Sequence, residues 1–247
     1  MLSEYQKINE KRRLKALPEL PMPRTVRLMF KKVGTLQYIS HLDLQRTFMR
    51  VLNRACIPVW YTKGFNPHAK LVFSTPLSVG AQSVYEFLDI RIDREMSCEE
   101  IMSRLNAELT DELCILEAYV PNTDFRDIAW SEYDIEIKTE GAGSALARGI
   151  YETLTTSPLM LLKRSKSGEK EVDIIPMIHS VGTAFDENTD SIKIKAVLKA
   201  SSVEYLNPEL LITGLKQKNG VLCADPMKEE YSIVRKAVFF ENMEKFK

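Results

Sequence analysis

Residues 39–80 read ISHLDLQRTFMRVLNRACIPVWYTKGFNPHAKLVFSTPLSVG, and the fold follows from how that stretch divides. Ser40 followed by Asp43 has the form of a helix N-cap with an acid three residues on, placed just before an apolar-periodic run. Leu44, Phe48, Val51, Leu52 and Ala55 fall at offsets 0, 4, 7, 8 and 11, one side of a 3.6-residue helix that would bury against a sheet. Arg46, Arg50 and Arg54 follow at steps of four on another face. At about 6 Å per step, three guanidinium groups match successive phosphates of a nucleic-acid strand, although a solvated charged face has the same pattern. After Pro58, Val59–Tyr61 reads as a short strand. Lys63-Gly64-Phe65-Asn66-Pro67-His68-Ala69-Lys70 then reads as a loop, because Gly64 and Asn66-Pro67 are turn chemistry. An aromatic ring between cations at a loop tip suits stacking on a base, and it equally suits an inward anchor.

The same block is polarised. Residues 24–80 hold nine Lys or Arg against Asp43 alone, a local charge of +8, whereas residues 81–145 carry −11 and the whole chain is neutral. Such asymmetry points to a basic face for a polyanion. With 247 residues and 45% apolar content the chain supports one large domain or two smaller ones. No apolar run reaches membrane-spanning length and the N-terminus lacks a secretory core, so the expectation is a cytoplasmic protein with no membrane partner. Cys56, Cys98, Cys114 and Cys223 form no C-x-x-C pair, and buried thiols are expected rather than a zinc or iron–sulfur site.

Outward from this block, the chain repeats one grammar. Residues 1–23 read as an N-terminal extension, a helical fragment and then a proline-rich lead-in. A strand at 25–31 (Val26, Leu28, Phe30 on one face), the capped helix, strands at 59–61, 71–73 and 84–92, a helix from Cys98 to Leu109 capped by Ser97, and a strand at 114–120 make a first half, 24–125. The second half, 126–240, has a strand at 133–138 and a helix at 144–155 with Leu146, Ile150 and Leu154 inward. A hairpin of strands 159–163 and 171–178 follows, turning at Ser167-Gly168 and rimmed by Lys163, Arg164, Lys166 and Lys170. A strand at 192–199, a helix opened by Asn207-Pro208 and stopped by Gly220, and a strand at 231–239 complete it, with 241–247 as a tail. Strand, helix, strands, helix, strand, used twice, is the order of an α+β protein built from two ferredoxin-like βαββαβ halves with extra strands. A single larger α+β domain is the alternative.

Ser40-His41-Leu42-Asp43, Gly64-Phe65-Asn66-Pro67-His68, and the later S-T-P-L-S-V-G and S-V-Y-E-F-L-D-I resemble the bacterial family called radical SAM-linked proteins over roughly residues 24–240. The motifs are specific in the first half and looser around 166–176. The resemblance implies a partner, a radical S-adenosylmethionine enzyme encoded beside or fused to such chains, and a genetic neighbourhood of RNA processing. It implies no reaction. This chain has no C-x-x-x-C-x-x-C triplet, so the cluster that radical chemistry needs would reside in the other protein and no cofactor is expected here.

Three functions follow from these readings. The first is a non-catalytic partner of the radical enzyme that binds tRNA or ribosomal RNA through Lys31, Lys32, Arg46, Arg50, Arg54, Lys63, Phe65, Asn66 and Lys70. The second is a metal-independent endoribonuclease with His41 and His68 as base and acid. The third is a protein-only adaptor docking the enzyme through the acidic residues 81–145. His41, Asp43 and His68 also have ligand types suited to zinc, without a diagnostic spacing.

Overall fold

The computed structural model describes residues 8–10, 12–13, 16–156, 158–165 and 168–247, and divides into two compact units, Met1–Asp124 with Lys247, and Phe125–Phe246. Unit 1 runs β1 (Glu19–Lys32), a 3-10 turn (Gly34–Tyr38), α1 (His41–Arg54), β2 (Val72–Phe73), β3 (Ala81–Arg94), α2 (Cys98–Asn106) and β4 (Leu113–Tyr119). β4 pairs with β1, β1 with β3 and β3 with β2, all antiparallel. Unit 2 runs β5 (Trp130–Lys138), α3 (Ser144–Thr155), β6 (Met160–Ser165), β7 (Gly168–Asp173), β8 (Ile178–Asp186), β9 (Ser191–Lys199), α4 (Pro208–Asn219) and β10 (Glu230–Phe239). Its sheet has the order β10-β5-β9-β8, again antiparallel, while β6 and β7 form a separate hairpin. With that hairpin set aside, each unit places its own fourth strand beside its first, then its third, then its second. The protein is α+β.

Alternation and helical period explain the layering. Val26, Leu28 and Phe30 of β1 and Leu88, Ile90 and Ile92 of β3 are fully buried against Phe48, Val51 and Leu52 of α1 and Ile101 and Leu105 of α2. The Ser40 hydroxyl accepts from the Asp43 backbone N–H at 3.2 Å, and Ser97 does the same for Glu100 at 3.1 Å, which fixes where both helices begin. Phe30, Phe48 and Phe73 meet edge to face at centroid distances of 5.0 to 6.3 Å. In unit 2 Asn207 caps Glu209 at 3.1 Å, Pro208 occupies the first helical position, and Gly220 at φ 69 closes α4 in the left-handed conformation.

Several elements differ from the sequence expectation. β1 starts at Glu19, paired opposite Arg94, so strand pairing reaches into the segment read as an extension. Val59 and Tyr61 make isolated bridges, to Ile92 and Ala69, instead of a strand, because the chain there wraps the edge of β3 after Pro58. Ala147, not Leu146, joins Ile150 and Leu154 on the buried stripe of α3. The strand read through 171–178 stops at Asp173, turns through Ile175–Met177 around Pro176, and restarts as β8. Ser167 of the expected Ser167-Gly168 turn and Lys166 of its basic rim lie outside the described residues.

Candidate nucleic-acid interface

Four of the nine cations of the basic block are committed inside unit 1. Arg27 is 1% exposed and sits opposite Asp89 in the β1–β3 register. Its Nε and Nη2 donate to the two Asp89 oxygens at 2.7 and 2.9 Å, and Nη1 and Nη2 donate to Thr123 Oγ1 and O at 2.7 and 3.0 Å. Arg24 donates to the Met96 carbonyl at 2.6 Å and pairs with Glu95 at 3.3 Å. Lys32 is buried, with its ammonium on the Gln37 carbonyl. Arg54 bonds the Glu108 carboxylate at 2.9 Å and the Glu108 carbonyl at 3.1 Å, tying the end of α1 to the segment after α2.

That accounting corrects the arginine row. Arg54 is a structural link, since Glu108 is itself almost wholly buried and depends on this partner. Lys32 cannot meet a phosphate without leaving the core, and alternation along β1 turns Lys31 to the sheet face away from α1. Arg46 and Arg50 remain exposed on α1. Arg46 is held at 3.1 Å from Asp43, whose carboxyl is kept below the usual range first by the Ser40 hydroxyl and then by Arg46. Among the described residues Arg50, Lys63 and Lys70 have no acid within ion-pair distance.

The 62–68 loop is a closed structure with an open tip. Thr62 donates its backbone N–H to the His68 carbonyl at 3.0 Å, and His68 returns its own to Thr62 Oγ1 at 3.2 Å, just inside the Tyr61–Ala69 bridge. The His68 Nδ1 lies 3.1 Å from the Asn66 carbonyl. Because a carbonyl only accepts, Nδ1 is the donor in that contact. Gly64 at φ 145 supplies the backbone shape that a side chain rarely tolerates. Phe65 then stands at the tip with a relative exposure of 107%, flanked by exposed Lys63, Asn66, His68 and Lys70. The inward-anchor reading of Phe65 is thereby overturned.

The two histidines occupy different settings. His41 is the first residue of α1, exposed, with its ring edge-on to Phe73 at 4.9 Å. His68 organises the loop. Neither imidazole has a carboxylate within ion-pair distance among the described residues. The described residues also gather no group of three His, Cys, Asp or Glu able to hold a metal, so His41, Asp43 and His68 do not form the zinc set that their types suggested.

Sequence reasoning missed the apolar surface around this region. Tyr38, Leu42, Val72 and Val79 are all exposed. The Gly80 N–H donates to the Gln37 carbonyl at 2.9 Å and His41 contacts Phe73, so the 3-10 turn, the start of α1, β2 and the 76–80 segment form one neighbourhood. Unit 2 contrasts with it. On the sheet face carrying Glu132, Asp134 and Glu136, Lys193 pairs with Glu136 at 2.5 Å and Lys195 with Glu132 at 3.2 Å, a self-neutralised surface. No helix among the described residues is long and apolar enough to cross a membrane.

No curated protein matches the chain. Among solved structures, an unknown protein from Galdieria sulphuraria is 9% identical, with 87% of this chain and 99% of that chain covered and a TM-score of 0.25. A heme complex of a DypB variant from Rhodococcus jostii RHA1 is 11% identical, with 90% and 96% covered and a TM-score of 0.20. Likeness at these scores bears on neither fold nor function. The model of one protein family, described as an uncharacterized protein conserved in bacteria, matches residues 25–208, a span that contains α1, the 62–68 loop and most of both units. The chain belongs to that family, DUF2344.

Proposed function

We propose that unit 1 is a non-catalytic RNA-binding module acting in the cytoplasm beside a separately encoded radical S-adenosylmethionine enzyme, in the modification or processing of tRNA or ribosomal RNA. The observation that carries the RNA reading is Phe65, a fully exposed ring on a closed loop between Lys63, His68 and Lys70. Exposing a phenyl ring to water is unfavourable, and such a tip gains most where a base can stack on it while cations hold the phosphate. Arg46 and Arg50 extend the same cationic surface. The enzyme partner comes from the resemblance of the Ser40–Asp43 and Gly64–His68 motifs. The strand orders of the two units support a finer reading of the fold, two ferredoxin-like halves, the second carrying the β6–β7 hairpin as an insertion.

A second reading, docking of the enzyme itself, is favoured by exposed Tyr38, Leu42, Val72 and Val79. One variant series separates it from the first. Phe65→Ala should weaken RNA binding by about 1–3 kcal/mol and Phe65→Trp should preserve it. Both should leave the melting temperature unchanged, because the ring packs on nothing. RNA affinity indifferent to Phe65→Ala removes the RNA reading and leaves docking.

A further inference from the structure

Beside the base of the 62–68 loop lies a cavity of about 450 Å³, within the range of small-molecule sites. Its walls are apolar and come from α1 (Met49, Leu52), the turn after it (Cys56, Ile57) and the bridge pair Tyr61 and Ala69. Cys56 has a positive φ of 55, and this left-handed step after α1 redirects the chain around the cavity. Asn53, Asp93 and Arg94 supply polar atoms at the wall, and Ile8 and Arg12 also line it. The Arg94 guanidinium is occupied, donating to the Leu17 carbonyl and to Glu19. Asn53, Asp93 and Arg12 are left to orient a ligand, and Asp93 has no ion-pair partner among the described residues.

We infer that this cavity receives a nucleobase, extruded from the RNA strand that unit 1 binds. The inference rests on the RNA reading and extends it to a defined pocket. Three features argue for that occupant. First, Tyr61 and Ala69 belong both to the cavity wall and to the bridge that closes the Phe65 loop, so a strand stacked on Phe65 passes the cavity. Second, Arg46, Arg50 and Asn53 lie at offsets 0, 4 and 7, one stripe of α1, so two exposed guanidinium groups lead along the helix to the cavity edge at about 6 Å per step. Third, apolar walls with a few edge-reading polar groups are what a flipped base requires. Burial pushes the Asp93 carboxyl above its usual range, in keeping with a wall that excludes water. A carboxylate acceptor and an amide lining one cavity favour an amine-bearing base, adenine, cytosine or guanine. Uracil is disfavoured, since carbonyls flank its single N–H on both sides.

The same chemistry could be presented by a free nucleoside, and one experiment distinguishes the sources. Full-length protein is titrated into a single-stranded RNA carrying 2-aminopurine at one position, with anisotropy reporting affinity and fluorescence reporting the environment of that base. Adenosine, cytidine, guanosine and uridine are titrated separately by calorimetry. Asn53→Trp closes the cavity edge from an exposed position without touching the core. Wild-type protein should bind the RNA with a change in 2-aminopurine emission, and Asn53→Trp should lose that change and about tenfold in affinity while keeping the same salt dependence. Equal emission changes in wild type and Asn53→Trp mean that no base enters, which overturns the pocket and leaves the RNA reading intact. Failure of wild type to bind RNA overturns both the RNA reading and the extruded base. Binding of a free amine-bearing nucleoside that Asn53→Trp abolishes then assigns the cavity to the free ligand, and its absence refutes any base site.

Discussion

The salt dependence of RNA binding turns the placement of the cations into a number. Each phosphate neutralised on a single strand contributes a slope of about 0.7 in log K against log salt. If all seven cations read from the sequence, Lys31, Lys32, Arg46, Arg50, Arg54, Lys63 and Lys70, met phosphates, the slope would be about 5. The structure removes Lys32 by burial, Arg54 by its bonds to Glu108 and Lys31 by the face it occupies, leaving Arg46, Arg50, Lys63 and Lys70 and a slope of about 3. Two substitutions sharpen the contrast. Arg50→Gln should lower the slope by about 0.7 with no change in melting temperature. Arg54→Gln should leave the slope alone and destabilise unit 1 by about 1–3 kcal/mol, the cost of stranding the Glu108 carboxylate. The assay is fluorescence anisotropy with a labelled single-stranded RNA between low and moderate salt, alongside thermal denaturation of each variant. A slope near 5, or an equal fall in slope for Arg54→Gln and Arg50→Gln, refutes the division between binding and structural arginines.

The remaining predictions concern groups with defined partners. Arg27→Met should cost about 3–5 kcal/mol in urea unfolding because it leaves Asp89 without its bidentate partner, and adding Asp89→Leu should recover much of that loss. Glu229 accepts from Thr139 Oγ1 and from the backbone N–H groups of Glu140, Ala224 and Asp225, the Thr139 hydroxyl contributing most, and its carboxyl is lowered to about 2. A depressed folded-state pKa stabilises above the ordinary value of 4.5 and that contribution is lost as pH falls toward about 2, so the urea midpoint should decline across this window and Glu229→Gln should flatten the decline. Incubation of purified protein with RNA should give no cleavage, and cutting that both His41→Ala and His68→Ala suppress about a hundredfold would restore the nuclease reading.

What the sequence disclosed of this fold and interface, and what it concealed, divides along the range of the forces involved. Caps act within three residues, so Ser40, Ser97 and the Asn207-Pro208 pair could be read directly. Periodicity placed Leu44, Phe48, Val51 and Leu52 inward, and turn chemistry placed the Phe65 loop. β8 escaped because its alternation is short, Val181, Thr183 and Phe185, and is interrupted by Gly182, while its place beside β9 depends on a register that only the folded sheet defines. The cations posed the same problem. A step of four put Arg54 in line with Arg46 and Arg50, yet its carboxylate partner lies 54 residues away, and Arg27 finds Asp89 across a strand pair 62 residues apart. Local pattern fixes which face of an element a side chain occupies, and only tertiary register decides whether its charge is already spent.

The same distinction explains why a neutral chain can still present a binding face. The acids of residues 81–145 do not merely solubilise a distant surface: Asp89, Glu95 and Glu108 each take one arginine of the 24–80 block. They neutralise the arginines at the sheet and at the helix end, where a free charge would be costly to bury. The cations that remain are on the exposed side of α1 and on the loop, next to the fully exposed ring of Phe65. A stripe of Arg46, Arg50 and Asn53 therefore replaces the row of three arginines as the track along α1, and it leads to the cavity edge rather than to Glu108. Charge reversal tests this directly: Arg50→Glu should weaken RNA binding in a fully folded protein, whereas a paired Arg54→Glu, Glu108→Arg swap should retain it.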